Sequence, residues 1–411
     1  MQWLPLPSAL KNLPEMKRLL AATAVLLLAV PQAAAAPKSV AAQLGSIYSA
    51  PVNTEGFVLA GKNSIFFANL NLKSSDIQVT ALDPSGNQIW QRTIDSGADE
   101  IATAAAVDPQ GNIWLAGSAA QVAIVETVTP VIGIDNPDLV NVEAGTALRG
   151  DMNQIALWKI SSAGELLATY LSPQKSIPVI NGLSATNSGI SIIGALDSKP
   201  FLATATTSGT FGKTLIIGTA KSEFNAVARN SDGSTSIFGS SAEKLAGKTL
   251  AGIRDGVLLK ISKAGAVTSI VRSSAQKASR SWISGDTSHL VSGPVITGKV
   301  TETAITKFTS TFTPTWTLRL PSAGSSASLS ANGNSYLAFT SRGPITGITS
   351  WKPTQPALLV ITFDSKGVIK AATALPGLVT PLSLHYSASR GVVGLATASD
   401  GTVSIFTLVS R

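Results

Sequence analysis

Cysteine is absent from all 411 residues. Disulfides, thiolate-held zinc and thiol nucleophiles are therefore excluded. Charge is scarce as well, with only 13% of residues charged, so Ser, Thr, Asn and Gln must cover much of the surface. That balance is common in exported β proteins. Aromatics make up 6% of the chain and there are two histidines. The 23 acidic residues are scattered, and no facing carboxylate pair of the kind a glycosidase needs stands out. No Gly-x-Ser-x-Gly elbow is present. The formal charge of +8 comes from dispersed basic residues rather than a basic arm, so no nucleic-acid partner is expected. The mature chain shows no sustained helical period.

The longest apolar run, Leu19 to Val30, is about 12 residues. A permanent membrane anchor needs roughly 20. Lys17 and Arg18 precede the run, Pro31-Gln32 ends it, and Ala33 to Ala36 supply small residues. This is the pattern of a secretory signal peptide, with cleavage expected near Ala35 or Ala36. Residues 1–15 read as an upstream extension, because Met16 restarts the signal. Residues 1–36 are thus extension plus leader, and residues 37–411 are one domain, expected outside the cytoplasmic membrane as a monomer without an anchor.

One short pattern recurs seven times: a small polar turn, then an apolar strand ending in a small residue. Thr54-Glu-Gly-Phe-Val-Leu-Ala-Gly61 and Pro109-Gln-Gly-Asn-Ile-Trp-Leu-Ala-Gly117 begin the series. Residues 186–194, 231–239, 285–293, 331–339 and 388–396 continue it at spacings of 45 to 77 residues. A second hairpin follows each copy, turning on a Gly such as Gly86, Gly164, Gly265 or Gly367. Its flanks are β-branched and of strand length. One unit is therefore four strands, a to d. Units of this kind stack because none buries its apolar face alone.

The expected fold is all-β: a seven-bladed propeller of four-stranded antiparallel blades. The last unit lacks a d strand, and residues 38–44 stand before the first expected a strand, residues 46–52. The ring is expected to close by pairing residues 38–44 with residues 402–408, which removes an open edge.

Ala81-Leu-Asp-Pro-Ser-Gly-Asn-Gln-Ile-Trp90 resembles the repeat of the pyrroloquinoline-quinone-like propellers, in which a Trp docks between blades. Trp316 stands at a position like that of Trp90. Asp108-Pro-Gln-Gly-Asn-Ile-Trp-Leu-Ala-Gly117 is similar to the Asp-x-x-Gly-Asn repeat of bacterial extracellular propellers. The resemblance implies the fold across the mature chain and no particular chemistry. No motif for a quinone, a metal or another cofactor is present. Thr207 to Thr214 approaches a phosphate-binding loop but lacks its first Gly and a following helix, so it reads as a turn. Asp135-Asn-Pro-Asp138 lacks calcium-loop spacing. His289 on strand b and His385 on strand a read as ordinary sheet positions.

The b–c connections vary most. Residues 196–199 make a minimal turn, whereas extended links are expected at residues 62–76, 118–151, 240–255 and 341–355. Long loops on one face of a rigid scaffold commonly carry binding. The expected function is a secreted, non-catalytic propeller that binds a partner protein or envelope glycan through this face. The alternative is an extracellular polymer-acting hydrolase or lyase with a site at the channel mouth, and an envelope-assembly scaffold is a third reading. The candidate contacts are Val131, Ile132 and Ile134 in the longest insertion, and Trp351 with Lys352 on a second lip. An aromatic beside a cation suits protein or sugar-ring contact.

Overall fold

The computed structural model describes residues 39–71, 74–120 and 151–408. The signal segment and the candidates Val131, Ile132 and Ile134 lie outside the described residues. The described residues start with two short strands, β1 (Val40–Leu44) and β2 (Ser46–Ser49). β3 (Gly56–Ala60), β4 (Asn63–Asn71), β5 (Ser75–Leu82) and β6 (Gln88–Ile94) form one antiparallel sheet in that order. β7 (Glu100–Val107), β8 (Ile113–Ala119), β9 (Gln154–Ile160) and β10 (Leu166–Pro173) form the next. A third holds β11 (Pro178–Thr186), β12 (Gly189–Leu196), β13 (Lys199–Ala205) and β14 (Leu215–Ile216). A fourth holds β15 (Ser222–Arg229), β16 (Thr235–Ser241), β17 (Asp255–Ile261) and β18 (Val267–Ser273).

The chain then gives β19 (Ala278–Arg280), β20 (Ser284–Gly285), β21 (Leu290–Thr297), β22 (Val300–Phe308) and β23 (Pro314–Ala331). These run on into β24 (Asn334–Ser341), β25 (Ile348–Thr349), β26 (Ala357–Phe363) and β27 (Ile369–Leu375). β28 (Leu378–Ser387), β29 (Gly391–Ala398) and β30 (Val403–Thr407) complete the order. The first strands adjoin in turn from β3 through β7, β11, β15, β20, β23 and β28, and β28 meets β3 again. The result is an all-β propeller around a central channel.

Two expectations are corrected. Seven separate four-stranded blades were expected; the hydrogen bonds draw five, and the remaining strands run together in one ten-stranded sheet. The cause is β23, which is 18 residues long. Its first half pairs with β22 and its second half with β24, without a break. The strand runs on through an irregularity between Ser322 and Ser326, where Gly324 takes φ +106°.

Ring closure also uses a different segment. β1 does not pair with β30. Instead β2 pairs antiparallel with β30, Ser46 opposite Thr407 and Ser49 opposite Ser404. β1 adds in parallel outside β27 and also pairs with β25. The expected frame ran one strand early in the first unit. Residues 62–76, expected as a loop, contain β4, which follows β3 through a tight turn at Gly61 with φ +61°. Gly56–Ala60 is therefore the inner strand of its sheet, and Ser46–Ser49 becomes the outer strand of the last one.

The core lies between sheets. Trp114 and Ile155 pack with Ile192 and Phe201 of the next sheet, and Ile193 and Leu202 with Val257 and Leu259 of the one after. Trp90 and Trp316 dock alike. Trp90 Nε1 donates to Ser162 O at 3.1 Å and Trp316 Nε1 to Ser365 O at 3.2 Å. Each ring lies over the turn glycine, where a Cβ on Gly164 or Gly367 would come within 2.6 or 2.7 Å of it. Both Trp rings thus dock against the turn of the next unit.

Hydrogen bonds also run from unit to unit at the a–b turns. Gln110 Nε2 donates to Asn187 Oδ1, and Ser188 Oγ to Asn230 O, both at 2.7 Å. Ser330 N donates to Asp286 Oδ2 at 2.7 Å, and Arg390 Nη1 reaches Ser64 Oγ at 2.7 Å. That last bond joins the end of the chain to its beginning.

Candidate functional site

The inner strands carry bulges that decide what faces the channel. Register shifts fall between Ala102 and Ala104, Ile180 and Gly182, and Phe224 and Ala226. The extra residues are Thr103, Asn181 and Asn225. Each donates to the inner strand or segment of the next unit: Thr103 to Ile180 O at 2.8 Å, Asn181 to Phe224 O at 3.0 Å and Asn225 to Trp282 O at 3.5 Å. In these three units the Gly that ends the recurring pattern sits opposite the bulge. A Cβ on Gly117 would lie 1.8 Å from Ile101 O, and one on Gly194 or Gly239 would lie 2.0 Å from Val179 O or Glu223 O. At Gly117, Gly194 and Gly239 the terminal Gly is thus a packing requirement of the bulge.

A cavity of about 290 Å³ occupies the channel. Its ionisable lining groups are Glu55 and His385, set among Gly, Ala, Asn and Thr. His385 stands edge-on to Phe57, ring centroids 4.7 Å apart. Burial pushes its pKa down to about 4, so it is neutral at neutral pH. Its Nε2 and Ser383 Oγ are sealed from solvent without a hydrogen-bond partner. The expectation of an ordinary sheet position holds for the strand, since His385 lies on β28, but its ring faces the channel. His289 is not on strand b: it sits in the turn before β21, at φ +59°, with Nε2 3.3 Å from Ser236 Oγ. Burial lowers its pKa too.

A second cavity, about 500 Å³, opens at the end of the sheets where β26 starts and β27 stops. Trp351, Pro353, Pro356, Pro376, Leu378 and Ser399 line it. The link from β24 to β26 folds because Ile345, Ile348 and Trp351 are buried against Phe339 and Leu359. Trp351 is only 7% exposed, and its Nε1 donates to Ser341 Oγ at 3.0 Å. It is therefore a wall of a pocket rather than an exposed platform. Lys352 beside it is exposed but does not line the pocket. β1 holds the link from outside: Val40 N donates to Gly347 O at 2.9 Å, and Thr349 Oγ1 to Val40 O at 3.3 Å.

The link between β16 and β17 is pinned by a buried ion pair, which sequence inspection missed. Arg272 Nε lies 2.7 Å from Asp255 Oδ2, and its amines donate to Glu243 O and Ser241 O. Asp255 also accepts from Ala251 N and Gly252 N. Every partner belongs to the loop or its strands, so the pair is architectural. Among the described residues no group of three His, Cys, Asp or Glu is placed to hold a metal, and no helix is long and apolar enough to cross a membrane.

No family model matches the chain, and no curated protein matches it either. Among solved structures, a streptogramin B lyase aligns at TM-score 0.48 and 13% identity, covering 89% of this chain and 97% of that one. The β-propeller domain of the Trilobed protease from Pyrococcus furiosus, described as having an open velcro topology, aligns at 0.47 and 10%, covering 90% and 97%. BBS1N in complex with ARL6DN aligns at 0.46 and 10%, covering 90% and 98%. At such scores these likenesses do not bear on ligand or activity.

Proposed function

We propose that the protein is an exported, non-catalytic propeller that binds a partner protein or an envelope glycan through the pocket walled by Trp351. The observation that carries this is the pocket itself: about 500 Å³, with three prolines, Leu378 and one Trp edge converging where two connections and a turn meet. Concave, largely apolar sites with a few polar groups are the usual binding sites of rigid scaffolds. The polar bulge residues of the channel, by contrast, are occupied in holding neighbouring strands together.

The test uses two exposed positions at the pocket. Pro356→Glu with Ser399→Arg should abolish capture of a defined envelope protein or glycan fraction, while the melting temperature stays within about 2 °C of wild type. Unchanged capture by a folded double variant would overturn the pocket reading.

One observation favours the alternative of a polymer-acting enzyme: Glu55 and the neutral His385 share the channel cavity. Turnover of an extracellular polymer by wild type, lost in His385→Gln, would replace the binding reading.

A further inference from the structure

At six of the seven contacts between neighbouring units, a side chain bonds the backbone of the next inner strand or segment. Thr103, Asn181 and Asn225 do so from their bulges. Asn69 Nδ2 donates to Ala102 O and Asn69 Oδ1 accepts from Ala102 N, both at 2.9 Å. Ser284 Oγ accepts from Ser328 N at 2.9 Å, and Thr340 Oγ1 donates to Val379 O at 2.7 Å. The seventh contact, from the last sheet to β3, is different. Among the described residues no side chain bonds the backbone of β3, and one hydrogen bond joins the two sheets, from Arg390 Nη1 to Ser64 Oγ. Arg390 belongs to the turn between β28 and β29, so that bond holds only one end of the contact.

β28 does carry a register shift, between Pro381 and Ser383, as the strands bearing Thr103, Asn181 and Asn225 do. Its extra residue is Leu382, which cannot donate, and it stands 44% exposed in the lining of the channel cavity. Beside it Ser383 Oγ and His385 Nε2 are buried without a partner. What joins the two sheets is apolar: Phe57, Leu59 and Phe66 pack with Val393, Leu395 and Ile405. Hydrogen bonds are directional and fix one arrangement, whereas apolar contact is non-directional and survives a small displacement. Separation at the other six contacts breaks side-chain bonds to an inner strand. Separation here breaks none of that kind and brings water to Ser383 and His385, whose hydration offsets part of the cost of exposing the apolar surface.

We infer that the ring yields between β28 and β3, which part around Leu382 and admit water to the channel cavity while the other six contacts stay closed. With no native cysteine, paired spin labels report this directly. Asn71→Cys with Asp400→Cys spans the contact, and Lys199→Cys with Lys244→Cys spans the bonded contact between the third and fourth sheets; all four positions are exposed. Singly labelled proteins supply each label's own mobility. The distance distribution of the first pair should be roughly twice as wide as that of the second. Ser383→Ala with His385→Phe removes the two groups that gain from water, and in a protein that still melts cooperatively it should cut the excess width by about half. Equal widths for the two pairs in the otherwise wild-type protein overturn the inference, whether or not the double variant folds. So does an excess width left unchanged by Ser383→Ala, His385→Phe in folded protein.

Discussion

At the scale of single residues, the backbone bulges govern what is tolerated. Gly117→Ala places a methyl 1.8 Å from Ile101 O, a backbone atom that moves only with its strand. The expected cost is about 3 kcal/mol in urea unfolding. Gly111→Ala, at φ +84° with open space around it, should cost only about 1 kcal/mol, all of it backbone strain. Equal costs would mean that the bulge is not the constraint. His385 gives a pH signature. Its pKa drops from 6.5 to about 4 on folding, so the unfolded chain takes up the proton first. Stability is therefore full above pH 6.5 and falls as pH drops toward 4, by up to about 3 kcal/mol. His289, also depressed by burial, acts in the same direction. His385→Phe should flatten part of that window, as measured by urea midpoints from pH 7 to 4; an unaltered slope would show that His385 does not titrate there. Neither effect was legible from the residue types. A Gly at a strand end and a His in a strand are ordinary until the opposing carbonyl, or the missing partner, is seen.

At the scale of elements, the sequence exposed the repeat because turn chemistry is local. Asp83, Asp108, Ser161 and Asp364 each cap the turn they begin by accepting backbone N–H groups, and a Gly in the left-handed region completes it. Frame and sheet boundaries were less legible, because they depend on which strand finds an inner neighbour. Ser64 to Leu70 carries strand residues, but Gly61 before it reads as the end of a pattern rather than as a hairpin turn, which moves every assignment upstream by one strand. The Trp351 link looked exposed because its neighbours are polar. Its apolar residues are buried against Phe339 and Leu359, and β1, more than 300 residues away along the chain, pins it from outside. Two substitutions separate the N-terminal strands. Replacing residues 40–44 by Gly/Ser should raise hydrogen exchange at Ile348 and Thr349 by at least tenfold while β30 stays protected. Replacing residues 46–49 should deprotect β30 and lower the melting temperature by a larger margin. The reverse order of effects would show that β1, not β2, closes the ring.

At the scale of the whole molecule, export is tested by the mature N-terminus. Intact-mass analysis of an envelope or medium fraction should find the chain starting near Ala36 or Pro37, and a full-length cytosolic chain would remove that part of the proposal. With no cysteine in the chain, reducing agent should leave the melting temperature unchanged, and a shift would point to a ligand or additive effect rather than to cross-links. The pairing of β2 with β30 has a temporal side as well. Ser46 waits for Thr407, so the last sheet needs two segments some 360 residues apart at once. A polypeptide delivered from its N-terminus, by a ribosome or through a translocation pore, can form its early sheets as they appear. It cannot seal until Thr407 has emerged. Pairings this distant in sequence make closure the slow step of folding. Until then the β2 and β30 edges are unpaired, and a chain stalled in transit carries two strands ready to join a neighbour's sheet.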